Sequence, residues 1–424
     1  MRYNPLSSHL FARNRKKLAE RLRPGALVVI HSNGMLYHND GAFPFVQQAD
    51  FYYLTGIDQE GCTLLLFPEC PDPDFREVLF IEKQEENNVV WEGRKLNKQE
   101  AGVLSGIEKV TWQNEFRPVL QKLLLKAECI YLLGNEGMPD NAESVNGNYA
   151  KTFASQNPLY PLERLKPMVA SLRTIKENEE IEAIQKAIYI TEMGFRNMAS
   201  QVKSEEPEYA LEAELTRTFI SQGSRRHAFQ PILASGKNAC ILHYIDNSER
   251  LISGEMLLVD AGAEYAGYHA DITRVFPVNQ RFTSRQRKIY QAVLDVHNQA
   301  LEYLPKAGSL RQFNKTVAGI MEEKLVEVGL LQRTDINKKE KNPAYRKYYM
   351  HSAAHYLGLD VHDVGDTDQP LQPGMVITLE PGIYIKEEGL GIRLENDILI
   401  TAMGYKNLSA NIPLAMEEVE ALKS

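Results

Sequence analysis

The chain has 424 residues, 43% of them hydrophobic and 25% charged, with a formal net charge of −8. This length and composition fit a globular protein of two or three domains, two being preferred. The acidic balance excludes broad electrostatic attraction to nucleic acid or to an anionic membrane. No apolar run approaches the roughly 18 residues of a transmembrane helix, and the stretch from Met1 to Arg13 lacks the apolar region of a signal peptide. The expected location is therefore the cytoplasm, with small or neutral partners.

In chain order, residues 11–22 read as a basic amphipathic helix, and 26–30, 63–67, 78–81 and 130–133 as strands. The aromatic run Phe51-Tyr52-Tyr53 reads as core. Cys62, Cys70, Cys129 and Cys240 are too scattered for a zinc knuckle or a redox pair and read as inert thiols. The texture changes near Leu165. Residues 175–199 open a long helix with Ile181, Ile184, Ile188 and Phe195 near one face, which places a boundary between domains 1–172 and 173–424. The first domain reads as α/β.

Past the boundary, strands gather at 231–243, 256–276, 375–384 and 391–401. Thr283/Gln286 and Ser309/Gln312 have capping-box spacing ahead of helices ending near Tyr303 and Gly329. The second domain is expected to be α+β, an antiparallel sheet backed by helices. Within it, Gly254 through Asp260-Ala-Gly262 echoes Gly374 through Glu380-Pro-Gly382, and each stretch is followed by a strand with a further acid, Asp271 or Glu395. A duplicated half-domain would bring four carboxylates to one centre. Folding about Tyr265 and Ala266 would set Asp260 directly opposite Asp271, where like charges about 5 Å apart need neutralising.

His351 and His355 are spaced i, i+4, one face of a helix if the segment is helical, and His362 follows. Alternation puts Arg393, Glu395 and Asp397 on one face of the last strand, with Arg393 either orienting a carboxylate or making a surface ion pair. Together Asp260, Asp271, His355, Glu380 and Glu395 read as a metal site. Four carboxylates balance two divalent ions, and an oxygen-rich set with one imidazole suits Mn²⁺, Fe²⁺, Co²⁺ or Zn²⁺. Such a pair can share a hydroxide and polarise a carbonyl, so hydrolysis is the expected reaction class. The chain contains neither a phosphate loop, a dinucleotide fingerprint nor a nucleophile elbow.

These five residues, in this order and with these flanks, resemble the dinuclear site of the pita-bread (creatinase/aminopeptidase-like) metallopeptidases, and more narrowly the Xaa-Pro aminopeptidases (aminopeptidase P). Residues 39–56 resemble that family's noncatalytic domain. The resemblance implies an α/β N-terminal domain and a pita-bread catalytic domain with two metal ions, manganese first. Asp260 would chelate one ion, His355 and Glu380 mainly the other, and Asp271 and Glu395 would bridge. Glu380 would also shuttle a proton, and His243, His351 and His362 would face the substrate, with Arg393 in support. The implied substrates are peptides with proline second, and the implied assembly is a homodimer or homotetramer. Trp91 resembles a loop tryptophan that overhangs the cleft in some members, with a core or surface role as the alternative. The rival activities are Xaa-Pro dipeptidase (prolidase), methionine aminopeptidase, and a binding protein on the same fold.

Overall fold

The computed structural model describes residues 3–136, 143–278, 281–336 and 342–423. Two compact units divide the chain, one over Asn4–Arg173 and one over Thr174–Ser424 together with Tyr3.

The first unit is built on a six-stranded sheet. Its strands are β1 (Ala26–His31), β2 (Thr63–Leu66), β3 (Glu77–Ile81), β4 (Lys109–Trp112), β5 (Cys129–Leu132) and β6 (Leu162–Arg164), in the order β4-β3-β2-β1-β5-β6. β1 runs parallel to β5 and antiparallel to β2. All six residues of β1 are buried, as in strands covered on both faces by helices, which read as unbroken apolar runs. Leu27, Val29 and Phe80 pack with Phe116, Leu123 and Phe153 from flanking helices.

The expected helix over 11–22 lies instead at α1 (Ser8–Ala19), where the Ser7 hydroxyl accepts from the His9 N–H. The chain leaves the helix ahead of Pro24, whose ring disfavours helical backbone in the residue before it. Phe51, Tyr52 and Tyr53 are buried, and Trp91 is 87% exposed. All four cysteines are free and buried. Burial pushes the Cys62 thiol up to about 12, which keeps it protonated and unreactive.

The second unit is α+β. Its long helices are α2 (Asn178–Ala199), α3 (Glu208–Ser221), α4 (Ser284–Tyr303) and α5 (Leu310–Glu327). Its strands are β7 (Ile232–Ser235), β8 (Met256–Ala261), β9 (Ile272–Pro277), β10 (Val376–Leu379), β11 (Gly382–Ile385), β12 (Leu390–Arg393), β13 (Asn396–Thr401) and β14 (Gly404–Asn407). They form antiparallel sheets in the orders β9-β8-β7, β10-β13-β14 and β11-β12. The capping box at Thr283 is complete. At Ser309 only half of it forms, because the Gln312 side chain turns to the Gly308 N–H. The strand expected over 231–243 stops at Ser235, where Gly236 at φ +49° diverts the chain into a 3₁₀ turn.

The first hairpin differs from expectation in register. Ala266 and Gly267, both at positive φ, form the turn, and Tyr265 pairs with Tyr268. A hairpin turn favours positive φ at both central residues, which a glycine in the second position accommodates. With the turn one residue later, Asp260 faces Thr273 rather than Asp271. Asp271 falls across from Gly262, as the flanking pairs Ala261↔Ile272 and Ala270 N–H to Ala263 O require. Because the slip is two residues on the partner strand, Asp271 stays on the same face as Thr273.

In the second hairpin the flanking pairs Leu379↔Asn396 and Leu394 N–H to Pro381 O set Glu380 directly opposite Glu395. Gly262 and Gly382 occupy equivalent places two residues past the first acid of each hairpin. A methyl group at Gly262 would lie 1.7 Å from Ala270 O, and one at Gly382 would lie 3.0 Å from Ile392 O. Only glycine lets the opposing strand come that close.

Candidate metal centre

His355 does not sit on a helix. Residues 353–357 run antiparallel to β10, with Leu357 N–H to Val376 O, Thr378 N–H to His355 O and Glu380 N–H to Ala353 O at 2.8–3.0 Å. This irregular strand lines β10 on the side away from β13, much as β7 lines β8. The i, i+4 spacing of His351 and His355 therefore marks an extended segment rather than a helical face. His355 Nδ1 lies 2.9 Å from Tyr356 O, a contact that fixes the proton on Nδ1 and leaves the Nε2 lone pair for a ligand.

That Nε2 lies 3.4 Å from Asp271 Oδ2 and 3.7 Å from Glu380 Oε1. Asp271, His355 and Glu395 offer ligand atoms that all lie within 4.8 Å of one another. Glu380 stands beside this trio through His355 and reaches His351 Nδ1 at 3.5 Å on its other oxygen. Asp260 completes the group of acids from the end of β8. Its Oδ2 accepts from Arg393 Nη2 at 2.6 Å, and its Oδ1 is buried without a hydrogen-bond partner among the described residues.

Arg393 turns its charge inward, which decides between the two roles open in the sequence. Besides Asp260, it donates from Nε to Thr273 Oγ1 at 3.0 Å and from Nη1 to the Tyr384 hydroxyl at 2.9 Å. Thr273 in turn donates to Glu395 Oε2 at 2.6 Å, and Tyr384 lies 2.8 Å from His351 Nε2. One buried guanidinium thus reaches an acid of the first hairpin directly and an acid of the second through Thr273. Sequence reading missed Thr273 and Tyr384 as part of the site. Thr273 is legible afterwards as the cross-strand partner of Asp260. Asp397 is also buried there, accepting the Asp271 N–H at 3.2 Å.

The electrostatics are those of crowded acids in a dry place. Burial, then the neighbouring acids, raises Asp271 and Glu395 well above the carboxylate range, and burial raises Glu380 to about 7. Burial, helped by Arg393, lowers His351 to about 3, and burial also lowers His362. His243 and His362 are exposed. The His362 ring centroid lies 4.4 Å from that of His355, and His243 is close enough to act on both His351 and His362. The donor set fits divalent cations: Asp271 and Glu395 converge with an imidazole tautomerically set for coordination, Glu380 stands 3.7 Å from that imidazole, and Asp260 has an orphaned oxygen.

Known proteins show the same plan. Residues 182–402 match the model of metallopeptidase family M24, and residues 11–131 match the aminopeptidase P N-terminal domain. The chain is 34% identical to the Xaa-Pro aminopeptidase of Escherichia coli K12, covering 98% of each, and 33% identical to human Xaa-Pro aminopeptidase 3, covering 94% of this chain and 80% of that one. Among solved structures, E. coli aminopeptidase P superposes with a TM-score of 0.90 at 32% identity, covering 99% of both chains. A proline aminopeptidase P II from Yersinia pestis gives 0.88 at 33% identity, again covering 99% of both. No helix among the described residues is long and apolar enough to cross a membrane. With its pita-bread domain, its clustered acids and the N-terminal domain of aminopeptidase P, the chain belongs to metallopeptidase family M24 and is a hydrolase.

Proposed function

We propose that this protein is a dinuclear metal-dependent Xaa-Pro aminopeptidase, removing the N-terminal residue from peptides with proline in second position. The observation that carries the reading is the convergence of Asp271, His355 and Glu395 ligand atoms within 4.8 Å, with Asp260 and Glu380 beside them. Those five residues would hold two divalent ions, Mn²⁺ first and Co²⁺, Zn²⁺ or Fe²⁺ as substitutes, Asp260 on one side, His355 and Glu380 on the other, and Asp271 and Glu395 between. Bound there, such ions supply an acidified water and polarise the scissile carbonyl.

The chain's own residues do the rest. Glu380 takes the proton of the attacking water and passes it toward the leaving proline nitrogen. His243, His351 and His362 face the peptide and direct hydrogen bonds at the carbonyl and at the charge growing on it. Arg393 fixes Asp260. An Xaa-Pro bond is a tertiary amide with no N–H, so this site has no amide hydrogen to satisfy on the leaving side. Relatives named Xaa-Pro aminopeptidase match over nearly the whole chain, which favours this reading over a dipeptidase. Free, buried cysteines support a reducing, cytoplasmic setting, and we extend the reading to a homodimer or homotetramer.

The test compares an Xaa-Pro-Yaa-Zaa tetrapeptide, an Xaa-Pro dipeptide and a Met-Ala peptide with manganese-loaded protein, products being read by mass spectrometry. Release of Xaa from the tetrapeptide is expected. Turnover of the dipeptide alone would make it a prolidase, and turnover of Met-Ala alone a methionine aminopeptidase.

A further inference from the structure

His243 and His362, the exposed histidines beside the candidate metal centre, are each followed by a residue anchored in the interior by a buried charge. After His243, Tyr244 is buried and its hydroxyl donates to Glu208 Oε2 at 2.9 Å. Glu208, at the start of α3, is fully buried. Its carboxylate accepts three more hydrogen bonds, from Ser235 N–H at 2.7 Å, Ser235 Oγ at 2.6 Å and Glu249 N–H at 3.0 Å. Asn247 adds two ties from the same loop, accepting the Leu233 N–H at 2.9 Å and donating to Pro231 O at 3.0 Å.

After His362, Asp363 pairs with Lys176 Nζ at 2.9 Å, both side chains being 1% exposed. The Asp363 N–H donates to Tyr356 O at 2.9 Å. A methyl group at Gly358 would lie 2.2 Å from Asp363 Oδ2, so the loop backbone packs directly on the ion pair. The Lys176 N–H is tied to Gly374 O at 2.9 Å.

Burying an ion is costly and is offset only when every partner is held in place. A residue held that way has one conformation, and the exposed histidine beside it leaves from a fixed backbone. We propose that Glu208 and Lys176 are positioning residues, each fixing a substrate-facing histidine through the residue that follows it: Glu208 through Tyr244 for His243, and Lys176 through Asp363 for His362. This rests on the roles given to those histidines above. A misplacement of about 1 Å in such a group costs on the order of 10²-fold in rate, so the device acts on kcat more than on KM.

The experiment is a pair of double-mutant cycles on the full-length, manganese-loaded protein: Glu208→Gln with His243→Ala, and Lys176→Met with His362→Ala. Each variant is checked for metal content and melting temperature. Tyr244→Phe loses one hydroxyl and serves where Glu208→Gln fails to fold; Asp363→Asn serves likewise for Lys176→Met. Each anchor variant is expected to lower kcat about tenfold with metal content and KM kept, and to have under about a twofold effect once its histidine is alanine. Equal losses in both backgrounds, or loss of metal, would overturn the positioning role while leaving the histidines' role intact. Wild-type rates in the histidine variants alone would show that the reading of the site had failed first, and would remove the proposal with it.

Discussion

Arg393 Nη2 donates to Asp260 Oδ2 at 2.6 Å, joining β12 to the end of β8 through a guanidinium that is 4% exposed. The two residues are 133 positions apart, and the bond pairs a buried charge of one strand with a buried charge of the other. Arg393→Met should therefore cost about 3–5 kcal/mol, the usual penalty for leaving a buried charge unpaired, and lower kcat/KM at least about 100-fold. Arg393→Lys should recover little of the rate, since a point charge cannot serve Asp260, Thr273 and Tyr384 at once. Denaturant melts and steady-state kinetics check both.

Metal removal gives the second expectation. Exhaustive chelation should abolish peptide hydrolysis, and manganese should restore it. Asp271→Asn and Glu395→Gln should each reduce bound metal below the parent stoichiometry in elemental analysis while leaving the circular dichroism spectrum unchanged. Full stoichiometry in both variants would remove these acids from the ligand set.

Gly262→Ala is expected to be severe. Its methyl group meets Ala270 O at 1.7 Å, and the strand that must retreat carries Asp271. A fall in stability of more than about 3 kcal/mol together with reduced metal content is expected. Gly254→Ala has open space around its methyl position and should cost only its positive φ, about 1 kcal/mol.

Two buried histidines, His31 and His297, and the half-buried His227 contribute to the acid limit of stability. Burial lowers His31 and His227 to about 4 and His297 to about 3, and both ring nitrogens of His297 lack a hydrogen-bond partner among the described residues. All three are neutral in the fold, whereas the unfolded chain takes up protons near pH 6.5. Their contribution is thus complete above pH 6.5 and is lost as pH falls from there toward 3–4. His297→Leu should flatten the decline by about 3 kcal/mol, seen in melts from pH 7.5 to 4.

The residue types of the site and their order were legible in the chain. Acids at the ends of apolar strands, glycines two residues later and the echo between 254–262 and 374–382 all announced buried carboxylates at two hairpins. Local periodicity placed α2, and capping-box spacing placed α4 and α5, whereas α3 went unread. Short segments were harder. Residues 353–357 carry no strand alternation, and they become a strand because β10 presents an open edge whose backbone groups need partners. The first hairpin was misread by one residue at its turn because Tyr-Ala and Ala-Gly are both compatible with its sequence, and closing the hairpin favours the pair that includes glycine.

The sequence by itself determined which residue types stand at the strand ends, because burying a carboxylate there demands a counter-charge wherever that strand lies. Only the tertiary structure decided that Glu380 faces Glu395 while Asp260 faces Thr273, that Arg393 spans both hairpins, and that His355 rides an extended edge. The Arg393–Asp260 link joins residues 133 positions apart, whereas the two hairpin pairings and the edge seat of His355 are local and turn on register. Such pairings are set by which strands bury each other's backbone and apolar faces, a quantity that no local spacing encodes.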